Sequence, residues 1–421
     1  MSRILHSALV STIAFSLLSC SGCRTGVLAP VVPVNPAMPI QHVVVIMQEN
    51  RSFDNLFNGF PGADTVQTGM NYGTPVPLTV TPLGDGPDID HSHTGWWQQW
   101  DSGKMDGFAN NGPLAYTYIS PTETAPYWNL AQTYTIGDRM FQSNTGPSFV
   151  AHQYMIAGQS GGASENPSGG VWGCDAAPGA TVPLIGPNGT DLPGVYPCFD
   201  YQTMADLLDA QGITWRYYAP SPTSDQFFVL SAYQAIRHIR FGADWHMDVT
   251  SPETTFLTDI ANGHLAQVTW IVPAFNNSDH PGAPAQGPSW VATLVNAIGQ
   301  SQFWNSTAIF IAWDDWGGFY DHVPPPQTDS MGLGFRVPLL VVGPYARHGY
   351  ISHVNHESSG FLRYIEEVFN LPSLGARDLN ADDFRDCFDY TQSPAPFTAI
   401  PTPFTRDFFL RQKPSGLPDD D

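Results

Sequence analysis

Four short runs of uninterrupted apolar, largely β-branched residues place the strongest limit on how this chain can fold. They are HVVVIM (42–47), AQVTWIV (266–272), TAIFIAW (307–313) and VPLLVV (337–342). A strand with one face in water alternates apolar and polar residues, because successive side chains point to opposite faces. Runs that are apolar at nearly every position need cover on both faces, as the inner strands of a layered domain have. Helical spacing falls between them, over 201–211 (YQTMADLLDAQ), 290–300 (WVATLVNAIGQ) and 357–369 (ESSGFLRYIEEVF). Strands alternating with helices predict an α/β fold, a three-layer α/β/α sandwich with a mostly parallel central sheet.

The chain has 421 residues, 42% of them hydrophobic, enough for one large core. No break in composition divides it, so residues 39–412 are expected to form a single catalytic domain, followed by an acidic tail over 413–421. The segments around 160–200 and 215–262 are expected as excursions that wall or cap a site. A formal net charge of −22 repels nucleic acid and anionic lipid over long range. No nucleic-acid partner is expected, and an anionic substrate has to be drawn in by local positive charge, from a metal or an arginine.

The N-terminal MSRILHSALVSTIAFSLLSC places Arg3 before an apolar stretch of signal-peptide length. Its end, Leu17-Leu18-Ser19-Cys20, resembles the bacterial lipobox. Residues 1–19 are then a signal peptide, Cys20 a lipidated first residue, and 20–38 a tether to the cell envelope, outer membrane or periplasm-facing. An ordinary signal peptide cut near Cys20 or Cys23 is the other reading. Export permits disulfides. Cys174 and Cys198 flank a Gly/Pro-rich segment with little regular pattern, and they are expected to pair, with Cys387 free or paired elsewhere.

Polar residues gather at the ends of two of the apolar runs. The first runs into Glu49, Asn50 and Arg51, the third into Asp314 and Asp315. In open α/β sheets ligands collect at the carboxyl ends of strands. Hard oxygen donors from two such ends could hold a divalent cation, or they could be loop caps and turn formers. In SNTGPSFVAHQYMIAG (143–158), Ser148 stands where a helix begins. There it either caps the helix or lies beside an anion drawn to free N–H groups. His91, His93 and His280 lie in polar loops where packing does not demand an imidazole, and each could move a proton or bind phosphoryl oxygens. His322 follows FYD and could brace the acidic loop. GWWQQW (95–100) is either an aromatic wall for a ligand or core packing.

Taken together, QENRSFDNLF, GKMDGF, DRMFQSNTGPS, WDDWGGFYDHVPPP and GFRVPLLVVGPYA resemble the bacterial phospholipase C and acid phosphatase family of phosphoesterases, over residues about 39 to 372. The resemblance implies an alkaline phosphatase-like fold and hydrolysis of a phosphate ester, monoester or phospholipid, through a phosphoserine. It implies one divalent metal held by Glu49, Asn50, Asp314 and Asp315, with Ser148 as nucleophile and Thr145 as a lesser alternative. His91 or His93 and His280 match histidines lining the phosphate site. Arg51 either neutralises phosphate or holds the loop, and His356 is placed beside substrate in a supporting role. The competing expectation is an envelope lipoprotein that captures ligands on an inactive phosphoesterase fold.

Overall fold

The apolar runs form the middle of one nine-stranded sheet. Its strands are β1 (His42–Gln48), β2 (Thr135–Phe141), β3 (Trp215–Tyr218), β4 (Val249–Thr250), β5 (Val268–Ile271), β6 (Thr307–Trp313), β7 (Arg336–Val342), β8 (Tyr350–Ser352) and β9 (His356–Glu357). Their order is β4-β3-β5-β1-β6-β7-β2-β8, with β9 also pairing with β2. The computed structural model describes Asn35 and residues 37–220 and 231–413. The expectations for the leader, Cys20, most of the tether and the tail beyond 413 lie outside these residues.

Every pairing in the sheet is parallel except the two made by β7. The reason lies in the connections. Parallel neighbours need a crossover, whereas β6 returns directly through the 314–335 loop without a helix and so meets β7 antiparallel. β6 and β7 are buried at all seven positions, and β1 at every position after His42. Since adjacent side chains face opposite ways, both faces are covered, and the α/β/α reading holds.

The main helices are α1 (Phe53–Leu56), α2 (His93–Trp100), α3 (Ala125–Thr133), α4 (Ser148–Ala157), α5 (Met204–Ala210), α6 (Gly287–Gly299) and α7 (Gly360–Phe369). Helix α3 packs on α6, and α4 on α7. One apolar cluster runs from Val43–Met47 through Trp270, Trp313, Val341 and Phe361. Among the described residues no helix is long and apolar enough to cross a membrane.

Two expectations about the excursions fare differently. Cys174 and Cys198 are joined, closing a loop around a small hairpin (Val182–Ile185 with Asp191–Val195), and Cys387 is free and buried. The 215–262 segment is not a cap throughout. Its WRYY run is β3 and its Val249–Thr250 is β4, the outer strands of the main sheet. Aromatic residues suit a pleated, half-buried surface better than a free loop.

Candidate active site

Register brings the acidic groups together. β1 and β6 are adjacent and parallel, and Gln48 stands opposite Trp313. The next residues, Glu49 and Asp314, therefore leave the same sheet edge side by side. Two backbone bonds stitch the departing loops, Asp314 N–H to Gln48 O (2.9 Å) and Arg51 N–H to Asp315 O (3.0 Å). Asn50 adopts a left-handed φ of 58°, and its N–H donates to Asp314 Oδ1 at 3.0 Å. Gly317 allows this approach, since a Cβ there would lie 2.2 Å from Asn50 O. Ser52 then caps α1 by accepting from Asn55 N–H.

Glu49, Asp314 and Asp315 are each at most 1% exposed. Ser148, the first residue of α4, places its Oγ 3.4 Å from Asp315 Oδ2. His152 lies one turn further along α4, on the same face. Its Nε2 is 3.5 Å from Glu49 Oε1 and 3.8 Å from Asp314 Oδ2, so these three residues offer donor atoms within 4.8 Å of one another. Sequence reasoning passed over His152, because a lone histidine in an apolar helix usually belongs to the core. Its offset of four from Ser148 was the available signal.

The donor set fits a metal. Three buried carboxylates at one point carry a charge that burial penalises unless a cation answers it. Arg51, the cation nearest in sequence, is turned elsewhere. Carboxylate oxygens with one imidazole form the mixed O/N set that suits a divalent ion, and Glu49, Asp314 and His152 would hold it.

Of the predicted histidines, His91 and His280 border this cluster. His91 Nε2 lies 3.1 Å from Asn50 Nδ2 and 3.8 Å from Asp315 Oδ2. Its Nδ1 is 2.7 Å from Ile89 O and can only donate there, which leaves Nε2 to accept from the Asn50 amide. Asp88 Oδ1 lies 3.5 Å from His91 Nδ1 and 3.9 Å from His280 Nε2, bridging the two rings. His280 Nδ1 donates to Pro281 O at 3.0 Å, which turns Nε2 toward Asp88. A cavity of about 320 Å³ opens here, lined by Asp88, Asp90, His91, Pro147 and Glu165. Burial raises the Glu165 pKa, against the N–H groups of His93 and Thr94 that it caps.

Two expectations that carried alternatives are narrowed, at His93 and Arg51, and the placing of His356 beside substrate is corrected. His93 is committed elsewhere: Trp97 Nε1–H donates to its Nε2 (3.2 Å), so its Nδ1–H donates to Thr145 Oγ1 (2.8 Å). Burial lowers its pKa further. Its partner Thr145 is thereby occupied as an acceptor, which leaves Ser148 as the better-placed hydroxyl. Arg51 is fully buried and holds loops: Nε donates to Asp279 O (2.7 Å), Nη2 to Leu83 O (2.6 Å) and Nη1 to Asn55 Oδ1 (3.3 Å), with Phe319 stacked at 4.6 Å. His356 sits at the β2–β9 edge among Ser352, Asp382 and Cys387. The left-handed turn at Asn50 explains Arg51, because it sends successive side chains in different directions.

Two further features are structural. His322 and Asp54 meet at 2.6 Å, and Arg336 joins Asp54 (3.3 Å) and Asp321 (3.0 Å), filling that cluster with its own guanidinium. Trp96 is core, packed on Trp100 and Phe335, and of the run's three tryptophans Trp97 is the exposed one.

A model of the phosphoesterase family matches residues 40–372. Phospholipase C B of Mycobacterium tuberculosis is 27% identical over 439 residues, covering 85% of this chain and 79% of that protein. A non-hemolytic phospholipase C of Burkholderia pseudomallei is 24% identical, covering 79% and 55%. Among solved structures, a protein in the alkaline phosphatase superfamily from Vibrio parahaemolyticus aligns at 11% identity and TM-score 0.39, covering 86% and 76%. That superposition is loose, and the fold description rests on the sheet itself.

Proposed function

Because the chain belongs to the phosphoesterase family and hydrolyses phosphate esters, we propose that it does so as a metal-dependent phospholipase C-type enzyme through a phosphoserine on Ser148. The observation that carries this reading is Ser148 Oγ, 3.4 Å from Asp315 Oδ2 at the edge of the buried carboxylate–histidine cluster. When bound there, a divalent metal supplies Lewis-acid stabilisation of phosphoryl oxygens and lowers the pKa of a nearby hydroxyl.

The chain's own residues account for the rest. Ser148 Oγ passes its proton to Asp315 Oδ2 and forms the new O–P bond, while the bond from phosphorus to the leaving alcohol breaks. His280, with Nδ1–H donating to Pro281 O and Nε2 near Asp88, is the residue placed, as the imidazolium, to give that alcohol its Nε2 proton. His91 keeps Nε2 on the Asn50 amide and so fixes the Asn50 side chain at the cluster. Water then cleaves the phosphoserine: its oxygen bonds to phosphorus, its proton goes back to His280, and Asp315 returns the proton to Ser148 Oγ as the O–P bond breaks and the phosphorylated headgroup leaves.

The diester reading is favoured by the cavity wall. Asp88, Asp90 and Glu165 face an incoming headgroup with carboxylates, which suits a cationic choline- or ethanolamine-like group better than the second negative charge of a monoester. The relatives' names point the same way. The expected alternative, a ligand-capturing inactive fold, gains no support, since Glu49, Ser148, Asp314 and Asp315 are all present and converge. An exported, Cys20-anchored lipoprotein is part of the proposal, and the Cys174–Cys198 disulfide fits an oxidising compartment.

The test compares p-nitrophenylphosphorylcholine with p-nitrophenyl phosphate, for the parent protein and Ser148→Ala. The diester should be preferred. Ser148→Ala should keep its circular dichroism and lose turnover by about a thousandfold or more. Parent-like turnover in that variant would overturn the covalent scheme.

A further inference from the structure

We propose that His356, Asp386 and Cys387 form a second metal site, for a zinc-like ion, that pins the C-terminal segment to the edge of the sheet. His356 begins β9, and Asp386 and Cys387 belong to a helical turn at Arg385–Cys387. Each residue offers a donor within 4.8 Å of the others. Cys387 Sγ is 3.8 Å from His356 Nε2 and 3.6 Å from Asp386 Oδ1, and His356 Nε2 is 3.6 Å from Asp386 Oδ1. Zinc bonds of about 2.3 Å to sulfur and about 2.0–2.1 Å to nitrogen or oxygen place tetrahedral donors roughly 3.4–3.6 Å apart. The three measured separations are already close to that.

A second observation concerns the imidazole. His356 Nδ1 lies 2.6 Å from Asp382 Oδ1 and donates there. That bond orients the ring and leaves the Nε2 lone pair for a metal, the carboxylate–histidine arrangement that supports metal-bound imidazoles. Phe384, at a left-handed φ of 54°, lays its ring over the imidazole at 4.8 Å.

The hydroxyl of Ser352 must yield. It lies 2.8 Å from His356 Nε2 and 2.5 Å from Asp386 Oδ2, and Tyr350 OH also donates to that carboxylate at 3.3 Å. With an ion on Nε2, Ser352 gives up the imidazole and keeps its bond to Asp386. A hydrogen-bonded chain runs from Asp382 through His356 and Ser352 to Asp386, and the Cys387 S–H donates to Asp386 Oδ1; an ion among the three donors would replace that S–H contact with a bond to the thiolate.

Sulfur with imidazole selects a borderline-soft ion over magnesium or calcium. His356 and Cys387 are fully buried, while the Asp386 side chain is 26% exposed, so the ion reaches the site past Asp386 and a water takes the fourth position. Binding replaces the Cys387 S–H bond with a metal–sulfur bond and releases the proton to solvent. Cys387 O already accepts from Thr135 Oγ1 and Arg347 N–H, so the ion would fasten a segment that leans on β2.

The test uses the full chain carrying Cys20→Ser and Cys23→Ser, so that Cys387 is the one thiol outside the disulfide. After metal removal, Co²⁺ should give a thiolate-to-cobalt charge-transfer band that persists in Asp314→Asn and disappears in Cys387→Ser. Zinc should raise the melting temperature of the parent more than that of Cys387→Ser, and Cys387→Ser should retain phosphodiester hydrolysis. Should Cys387→Ser fail to fold, X-ray absorption on the zinc-loaded parent decides the matter, with a sulfur neighbour at about 2.3 Å expected. A zinc environment without sulfur, or a cobalt band unchanged by Cys387→Ser, would overturn the site.

Discussion

Arg51→Met separates two jobs for a guanidinium that stands next to the site in sequence. Methionine keeps much of the apolar volume against Phe319 and removes every donor. Three acceptors then lose their partner inside the protein: Asp279 O, Leu83 O and Asn55 Oδ1. Each buried orphan costs about 1–3 kcal/mol, so the three together predict a loss of about 3–9 kcal/mol. Removing the cation also takes away part of what restrains Asp279, whose pKa burial has already pushed up to about 6. Burial pulls the Arg51 pKa down to about 10, so it remains a cation at neutral pH. An unfolding entropy of about 2.1 cal/mol/K per residue over roughly 370 residues is about 0.8 kcal/mol/K, so the melting temperature should fall by about 4–11 °C. Differential scanning calorimetry reads this directly, and kinetics well below the transition should show KM changed by less than about tenfold. An unshifted transition with a KM raised more than tenfold would refute the loop-holding role and return the guanidinium to the phosphate.

The other predictions concern the cluster and its surroundings. Chelation should abolish hydrolysis, added divalent metal should restore it, and His152→Ala should raise the metal concentration for half-maximal rate by about tenfold or more; full turnover in excess chelator would remove the metal from the scheme. Burial pushes the pKa of Glu253 up to about 7, against a hydrogen bond from Asn277. The folded state therefore holds a proton that the unfolded chain loses above about pH 4.5, and stability falls as pH rises from there to about 7, by about 3 kcal/mol in all. Glu253→Gln should flatten that slope in denaturant titrations at pH 5 and pH 8, and an unchanged slope would show that the carboxyl is ionised in the fold.

The parts of the fold legible from sequence are those where one residue type answers one physical demand. The runs at 42–47, 307–313 and 337–342 are strands because double-sided burial selects apolar β-branched residues at nearly every position. β2 was missed because TIGDRMF contains a glycine and two charges. Asp138 is nonetheless fully buried, accepting from His353 (2.9 Å) and from Asp64 N–H (2.9 Å), partners far away in sequence. At the site, Glu49, Asp314 and Ser148 were legible because strand ends and a helix start fix where their backbones go. Arg51 and His93 were left between alternatives, and His356 was misplaced, because nearness in sequence does not set side-chain direction. His152 was missed for the complementary reason: its partners come from two strands, at distances no local pattern reports.

The charges nonetheless follow a logic that links fold to function. Two fully buried arginines lie in this half of the sheet, and each sits against carboxylates outside the nucleophile's reach. Arg336 binds Asp321 and Asp54, and Arg51 lies beside Asp279, whose side chain also accepts from Tyr127 OH and Trp313 Nε1–H. With an arginine among Glu49, Asp314 and Asp315, one of the three carboxylate charges would already be answered and the place of an ion filled by a guanidinium. With the guanidiniums spent on the surrounding layer, its negative charge is kept for a cation that arrives from solution. In a chain of net charge −22, such a cation would be the local attraction for a phosphate group which the rest of the surface repels. On the proposed reading, metal dependence and substrate capture are one electrostatic requirement.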